Sequence, residues 1–213
     1  MFTTDPFNGT YDGNNKKISN IVLNDPIFLQ TSASACVKNM DIVNAILNVP
    51  TDKAWFTSIL VNSNYGKIDS CKVNASINGG GYYRYWVGYV SCRNFGTINN
   101  CEVSGTLDMN ASGDGSNSYN RYFGSVAGVN ENGAKIVNCK NTASLTVISK
   151  RWYTYSSRVY AGGIVGENNG TIISTETKTA VKGVDETTFG HLIMGEIAGN
   201  NNGTIQSSYY NAN

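Results

Sequence analysis

The stretch GGIVGENNGTI (Gly162–Ile172) decides how this chain is read, because it returns thirty-three residues later as GEIAGNNNGTI (Gly195–Ile205). Four glycines beside paired asparagines suggest a loop that cradles a phosphate. Such a loop requires a helix N-terminus after the glycines. Here an apolar–polar alternation follows instead, so the glycines read as parts of turns and tight interior columns. A motif that repeats is architecture first.

Working outward, an Ile or Val after each turn anchors a repeat at Ile18, Val37, Ile68, Ile98, Ile136, Ile172 and Ile205, with spacings of 19, 31, 30, 38, 36 and 33 residues. Three places past each anchor stand Ile21, Met40, Cys71, Cys101, Cys139, Thr175 and Ser208. Five past stand Leu23, Ile42, Val73, Val103, Asn141, Thr177 and Tyr210, and nine past stand Ile46, Ile77, Leu107, Leu145 and Val181. Odd offsets are mostly apolar and even ones mostly polar, the period of a strand with one buried face. Before the anchors, Leu60, Val90, Val126, Ile164 and Ile197 align, as do Ser58, Gly88, Gly124, Gly162 and Gly195. Phe56, Trp86, Tyr122, Tyr160 and Ile193 form the next column of that parity, which predicts that these aromatics point inward.

An Asn stands two places before a Gly at Asn64, Asn94, Asn168 and Asn201, and the turn before Ile136 is one or two residues longer. Matching asparagines are expected to hydrogen-bond up a stack, with the glycines supplying positive φ beside them. Four past each anchor the outward residue alternates in sign: Asp41, Lys72, Glu102, Lys140, Glu176. Stacked about 4.8 Å apart, these charges become neighbours of opposite sign, an independent check on the alignment. A strand–turn–strand unit that closes in about thirty residues and stacks like on like is a parallel β-solenoid, here of about seven coils. The fold class is all-β. A single domain is expected over 1–213, with N-terminal coils over 1–47 and the motif-bearing coils over 48–213.

Composition agrees. The 213 residues include 23 Gly, 3 Pro and 13 Tyr, a bias toward strands and turns with very little helix. Charged residues make up 15% and the net charge is +1, with a pI near 7.5, which gives no electrostatic reason to bind nucleic acid or an anionic membrane. No apolar run is long enough to span a bilayer, and the N-terminus lacks the form of a signal peptide. The expectation is a cytoplasmic chain or a mature or excised segment.

GGIVGENNGTI, GEIAGNNNGTI and the degenerate VGYVSCRNFGTINNC resemble the GLUG motif, a glycine-rich repeat of bacterial surface proteins. FNGTYDGNNKKISNIVL (Phe7–Leu23) is similar to the coil that opens such arrays. The resemblance runs through Trp86–Cys101 and Tyr160–Thr171, is weaker at Phe56–Cys71, and departs at Asn62 and Cys92, which occupy the glycine column of Gly166. It implies a right-handed parallel β-helix on a secreted or cell-surface protein, a scaffold without catalytic residues or cofactor. The partners it implies are a host or cell-surface glycan or protein, and adjoining domains of a larger protein.

Several groups invite chemistry. Cys71, Cys101 and Cys139 share an inward column, and stacked free thiols are preferred to a bridge because ladder side chains run parallel. With one histidine, His191, and no CxxC, a zinc site has no support, and His191 reads as a turn residue in the column of Arg84 and Arg158. A carbohydrate-active β-helix needs converging carboxylates, whereas Asp41, Glu102 and Glu176 alternate with lysines. DMNASGDG gives a weak calcium candidate at Asp108, Asn110 and Ser112, but the twelfth position is Tyr119 rather than an acid, so a polar insertion is preferred.

Most distinctive are GGGYYRYW (79–86), SYNRYF (118–123) and KRWYTYSSRVY (150–160). Tyr82, Tyr83, Tyr85, Trp152, Tyr153 and Tyr155, with Arg84, Arg151 and Arg158, are expected to cluster on one edge as a binding surface for sugar rings or a protein. The alternative is aromatic finish to the coils. Three functional classes follow: a non-catalytic adhesion and scaffold module, a polysaccharide lyase or glycoside hydrolase, and a purely structural stalk.

Overall fold

The computed structural model describes residues 5–50, 55–81, 85–112, 119–150, 157–187 and 191–211. Among them every regular element is a strand, and four parallel sheets run the length of a β-helix. Sheet A stacks seven short strands: Thr10–Asp12, Cys36–Lys38, Lys67–Asp69, Thr97–Asn99, Lys135–Val137, Thr171–Ile173 and Thr204–Gln206. Sheet B is the wide one, built on Lys17–Ser19, Asp41–Val49, Lys72–Gly81, Glu102–Ser112, Lys140–Asn141, Glu176–Thr177 and Tyr209–Tyr210, and widened by Val22–Leu23, Ser144–Lys150 and Val181–Asp185. Sheet C holds Trp55–Ser58, Tyr85–Gly88, Arg121–Gly124, Val159–Gly162 and Leu192–Gly195. Sheet D holds Phe28–Thr31, Val61–Asn64, Ser91–Asn94, Ala127–Asn130, Val165–Asn168 and Ala198–Asn201.

The register reproduces the sequence columns over most of the stack. Val37, Ile68, Ile98, Ile136, Ile172 and Ile205 pair in sheet A, and all but Ile205 are fully buried. Each buried Ile, Leu or Val contributes about 1.5–3 kcal/mol, so a core made of columns is the main source of stability. The charge column is also in register, Asp41 to Lys72 to Glu102 to Lys140 to Glu176, and Lys17 extends it by a rung.

Four expectations need correction. Ile18 is not an anchor: it pairs with Ile42 in sheet B, and Tyr11 holds the sheet A position opposite Val37. The corner residue Asn15, at φ 54°, matches Asn39 of the next coil, so the first coil turns seven residues earlier than its apolar pattern suggests. Ile46 is 41% exposed, and Leu47 takes the inward place opposite Ile77, because a bulge at Asn44 (φ 54°) adds one residue to that strand. One extra residue flips every side chain beyond it.

The aromatic column is likewise turned around. Tyr85 and Val87 are fully buried, while Phe56 is 37% exposed and Trp86 and Tyr160 are half-buried; Tyr122 alone of these four rings is buried, at 8%. Between sheets C and D the chain bends, and both Tyr89 and Val90 point inward. Parity carried back across that corner is therefore wrong by one.

The glycines beside the asparagines, finally, do not supply positive φ. That conformation falls on Asn39, Ser70, Asn100, Asn138, Ser174 and Ser207 at the next corner. Gly96 is needed for close approach, since a Cβ there would lie 2.0 Å from the main-chain oxygen of Gly66. Cys92 is accommodated at its glycine-column position, fully buried, with Ser91 and Arg93 in register with Ala127 and Val129 on either side.

The asparagines form an unbroken inner ladder. Thr31 Oγ1 donates to Asn64 Oδ1 at 2.9 Å, and Asn64, Asn94, Asn130 and Asn168 each donate from Nδ2 to the Oδ1 of the next, ending at Asn201, at 2.8–2.9 Å. The longer turn before Ile136 thus still supplies its rung, through Asn130. All but Asn201 are buried, and their second amide protons reach main-chain oxygens such as Gly96 O at 3.3 Å. Buried amides need this saturation, because each one left unmade costs about 1–3 kcal/mol.

Candidate functional site

Of the residues expected to form a binding edge, Tyr82, Tyr83, Arg84, Arg151, Trp152, Tyr153 and Tyr155 lie outside the described residues. Tyr85 is fully buried and its hydroxyl donates to the main-chain oxygen of Pro50 at 3.0 Å. Arg158 is half-buried, with its guanidinium donating to Ser157 O at 3.0 Å and its main-chain N donating to Asn120 Oδ1 at 3.0 Å. Neither presents a free aromatic or cationic face. These two are the members of that edge among the described residues.

Along sheet C the rings of Phe56, Trp86, Tyr122 and Tyr160 form a stripe with centroids 4.9, 5.6 and 5.4 Å apart, in which Tyr122 is buried between its neighbours. Arg93 from sheet D places its guanidinium 4.8 Å from the Trp86 ring and 4.7 Å from the Phe95 ring, and Glu131 accepts from Arg93 Nε at 2.8 Å. Tyr65 and Phe95 stack at 4.4 Å. Burial, with the nearby Glu167 carboxylate, raises the Tyr122 phenol above its usual range. These rings spend their faces on one another and on Arg93, so the stripe seals the coils more than it receives a ligand.

The concave surface lies on sheet B. After the charge column an outward polar residue is followed by a small one: Val43-Asn44-Ala45, Val73-Asn74-Ala75, Val103-Ser104-Gly105 and Asn141-Thr142-Ala143. The small residue points inward, where Ala45, Ala75 and Ala143 are buried, and Gly105 takes φ 111°. The polar residue is left on the outer face. Two cavities of about 260 and 390 Å³ lie along this face and share Asn74. The first is bordered by Asp41, Lys72, Glu102 and Lys140 with Ser104 and Thr142, the second by Asn20, Asn44, Ile46, Ser76 and Thr106.

The groove is partly preorganised. Asn74 Nδ2 donates to Ser104 Oγ at 2.9 Å, the main-chain N of Asn44 donates to Asn74 Oδ1 at 3.1 Å, and Ser76 and Thr106 hydroxyls lie 3.0 Å apart. Lys72 Nζ is 3.4 Å from Glu102 Oε2, with both side chains more than half exposed. An exposed pair of this kind is worth at most about 1 kcal/mol and leaves both groups open to a ligand. The sequence carried the signal in the recurring Val-Asn-Ala and Val-Ser-Gly triplets. Alternation alone passes over it, because the polar member occupies an ordinary outward position.

The remaining candidates take structural places. Asp108, Asn110 and Ser112 lie on the extended strand Glu102–Ser112, not in a loop. An extended strand does not wrap its side chains around one ion as the loop of that motif does. No cluster of His, Cys, Asp and Glu able to hold a metal occurs among the described residues. Cys71, Cys101 and Cys139 stack as buried free thiols, and Cys36 and Cys92 are free as well. The hydrogen bond from Cys101 lowers the Cys71 thiol, whereas Cys101, held between Cys139 and Cys71, and Cys92, by burial, are pushed up. His191 falls in the Arg158 column but is fully buried, with Nδ1 2.6 Å from Ser157 O. No helix of the described residues is long and apolar enough to cross a membrane.

No protein-family model matches the chain, and no curated protein matches it. A crystal structure from Bacteroides ovatus described as a "putative immunoglobulin A1 protease" is similar to it, with a TM-score of 0.62 at 18% identity over 93% of this chain. The chain spans 59% of that neighbour's length. At this identity the likeness shows the fold: a stack of parallel strands common to both.

Proposed function

We propose that this chain is a non-catalytic β-helix module of a secreted or cell-surface bacterial protein, and that it holds a glycan in the groove on sheet B. One observation carries the reading: a concave, outward column of amide and hydroxyl side chains, Asn20, Asn44, Asn74, Ser104 and Thr142, repeats across successive coils of a rigid scaffold. Binding groups set on regular strands hold their spacing without loop ordering, which lowers the entropic cost of association. The GLUG-like repeats support a surface setting. The protease description belongs to the Bacteroides ovatus chain. Here the single histidine is fully buried, out of reach of a polypeptide substrate.

A second reading, a glycoside hydrolase, rests on Asp41 and Glu102. They stand two rungs apart at the groove's border, roughly 9.6 Å by strand spacing, close to the separation of about 6.5–9.5 Å used by inverting enzymes. Lys72 between them, paired with Glu102, favours binding over acid–base work. A panel of polysaccharides separates the readings. Binding without release of reducing or unsaturated ends supports the module; release of such ends establishes the enzyme; a blank glycan array leaves a structural stalk.

A further inference from the structure

We infer that the ligand of this groove is an uncharged polysaccharide lying parallel to the solenoid axis; this rests on the glycan reading above and adds the ligand's charge and direction. Direction follows from continuity. The two cavities share Asn74 as a wall residue, and the column of amides and hydroxyls beside them runs from Asn20 through Asn44, Asn74 and Ser104 to Thr142. Five rungs at strand spacing cover about 19 Å along the axis, whereas across the coil the two cavities together are lined by Glu102 to Thr106, about 13 Å at strand rise. An extended polymer along the axis meets an equivalent side chain at each rung. A polymer laid across the coils meets one rung and leaves the others unused.

Charge follows from alternation. The border reads Asp41, Lys72, Glu102, Lys140 in register, so any ligand charge within reach of one sign lies one strand spacing from the other. Attraction and repulsion then nearly cancel, and an anionic chain meets a carboxylate at every second rung. A hydroxyl suits both neighbours, accepting from an ammonium and donating to a carboxylate, and asparagine amides and Ser or Thr hydroxyls also serve as donor and acceptor at once. The surface discriminates against net charge while rewarding many hydroxyls.

The test is titration calorimetry of the whole chain with a soluble neutral β-glucan and with polygalacturonate, at low and high salt, beside the variant Thr106→Trp. Thr106 is an exposed wall residue, so the indole blocks the groove without entering the core. Neutral-glucan binding that changes less than about twofold with salt, exceeds polygalacturonate binding by about tenfold or more, and falls about tenfold in Thr106→Trp supports the inference. Tighter, salt-sensitive binding of polygalacturonate that the variant also abolishes overturns the charge assignment and leaves the glycan groove standing. Binding to neither polymer, or binding unchanged in a variant whose melting is normal, overturns the glycan-groove reading itself.

Discussion

Two columns of amides run through this molecule, and they differ in what burial demands of them. The inner column, from Asn64 to Asn168 in sheet D, is buried, and each amide is saturated by its neighbours and by main-chain oxygens. The outer column, Asn20, Asn44 and Asn74 on sheet B, is exposed or half-exposed, and its side-chain links are uneven, 3.4 Å between Asn44 and Asn20 and 2.9 Å from Asn74 to Ser104. Same side chain, same stacking, opposite use. In a dry site an amide must find all its partners within the protein, so it becomes a structural clamp. In a wet site water supplies the rest, and a ligand can take water's place.

The contrast is sharpest under substitution. Asn94→Leu leaves Asn64 Nδ2 without its 2.8 Å acceptor and Asn130 Oδ1 without its 2.9 Å donor, both in the dry interior. Urea denaturation should show a loss of about 3 kcal/mol or more. A loss below about 1 kcal/mol would mean the inner column is not the clamp described. Next comes Tyr122→Ala, which takes the centre out of the aromatic stripe and should cost about 2–3 kcal/mol. It should leave glycan binding as it was, because the stripe seals coils. Lost binding with unchanged melting would move the site to sheet C. Asn74→Ala, in the outer column, should cost less than about 1 kcal/mol of stability yet weaken groove binding measurably.

The smallest effect concerns pH at the sheet A border. Burial raises the Asp69 carboxyl, but hydrogen bonds from Lys67 Nζ at 2.7 Å and Asn99 Nδ2 at 2.8 Å outweigh it and hold the group below its usual range. A carboxyl depressed in the folded state contributes stability that is present above its unfolded value of about 3.9 and is lost as pH falls through the folded value. Asp69→Asn should therefore lower stability slightly at neutral pH, flatten the acid limb below about pH 4, and converge with the parent chain at low pH. An unchanged acid limb would show that Asp69 gains nothing from its partners.

The inner column was legible in the sequence because Asn64, Asn94, Asn168 and Asn201 keep a fixed distance to a glycine. Asn130 escaped that pattern because its turn carries two further residues, with Gly133 at φ 80°. Wherever the chain ran straight, as at Ile68 to Ile172 or Asp41 to Glu176, period-two reasoning placed each residue correctly. It failed at corners and bulges: Ile18, Ile46 and Trp86 were each displaced by a bend or an inserted residue that alternation does not register. The groove was hidden for another cause. Its polar residues occupy ordinary outward positions, and they line a cavity only once neighbouring coils stack.

The central claim is that the inner amides build the scaffold and the outer amides meet the ligand. Side-chain amide signals of the native protein, followed by NMR through a titration with soluble neutral β-glucan, test it directly. Saturable shifts at Asn20, Asn44 and Asn74, with Asn64, Asn94, Asn130 and Asn168 unmoved, are the predicted result. Shifts at the inner column, or an outer column that stays silent at saturating glucan, would contradict the account.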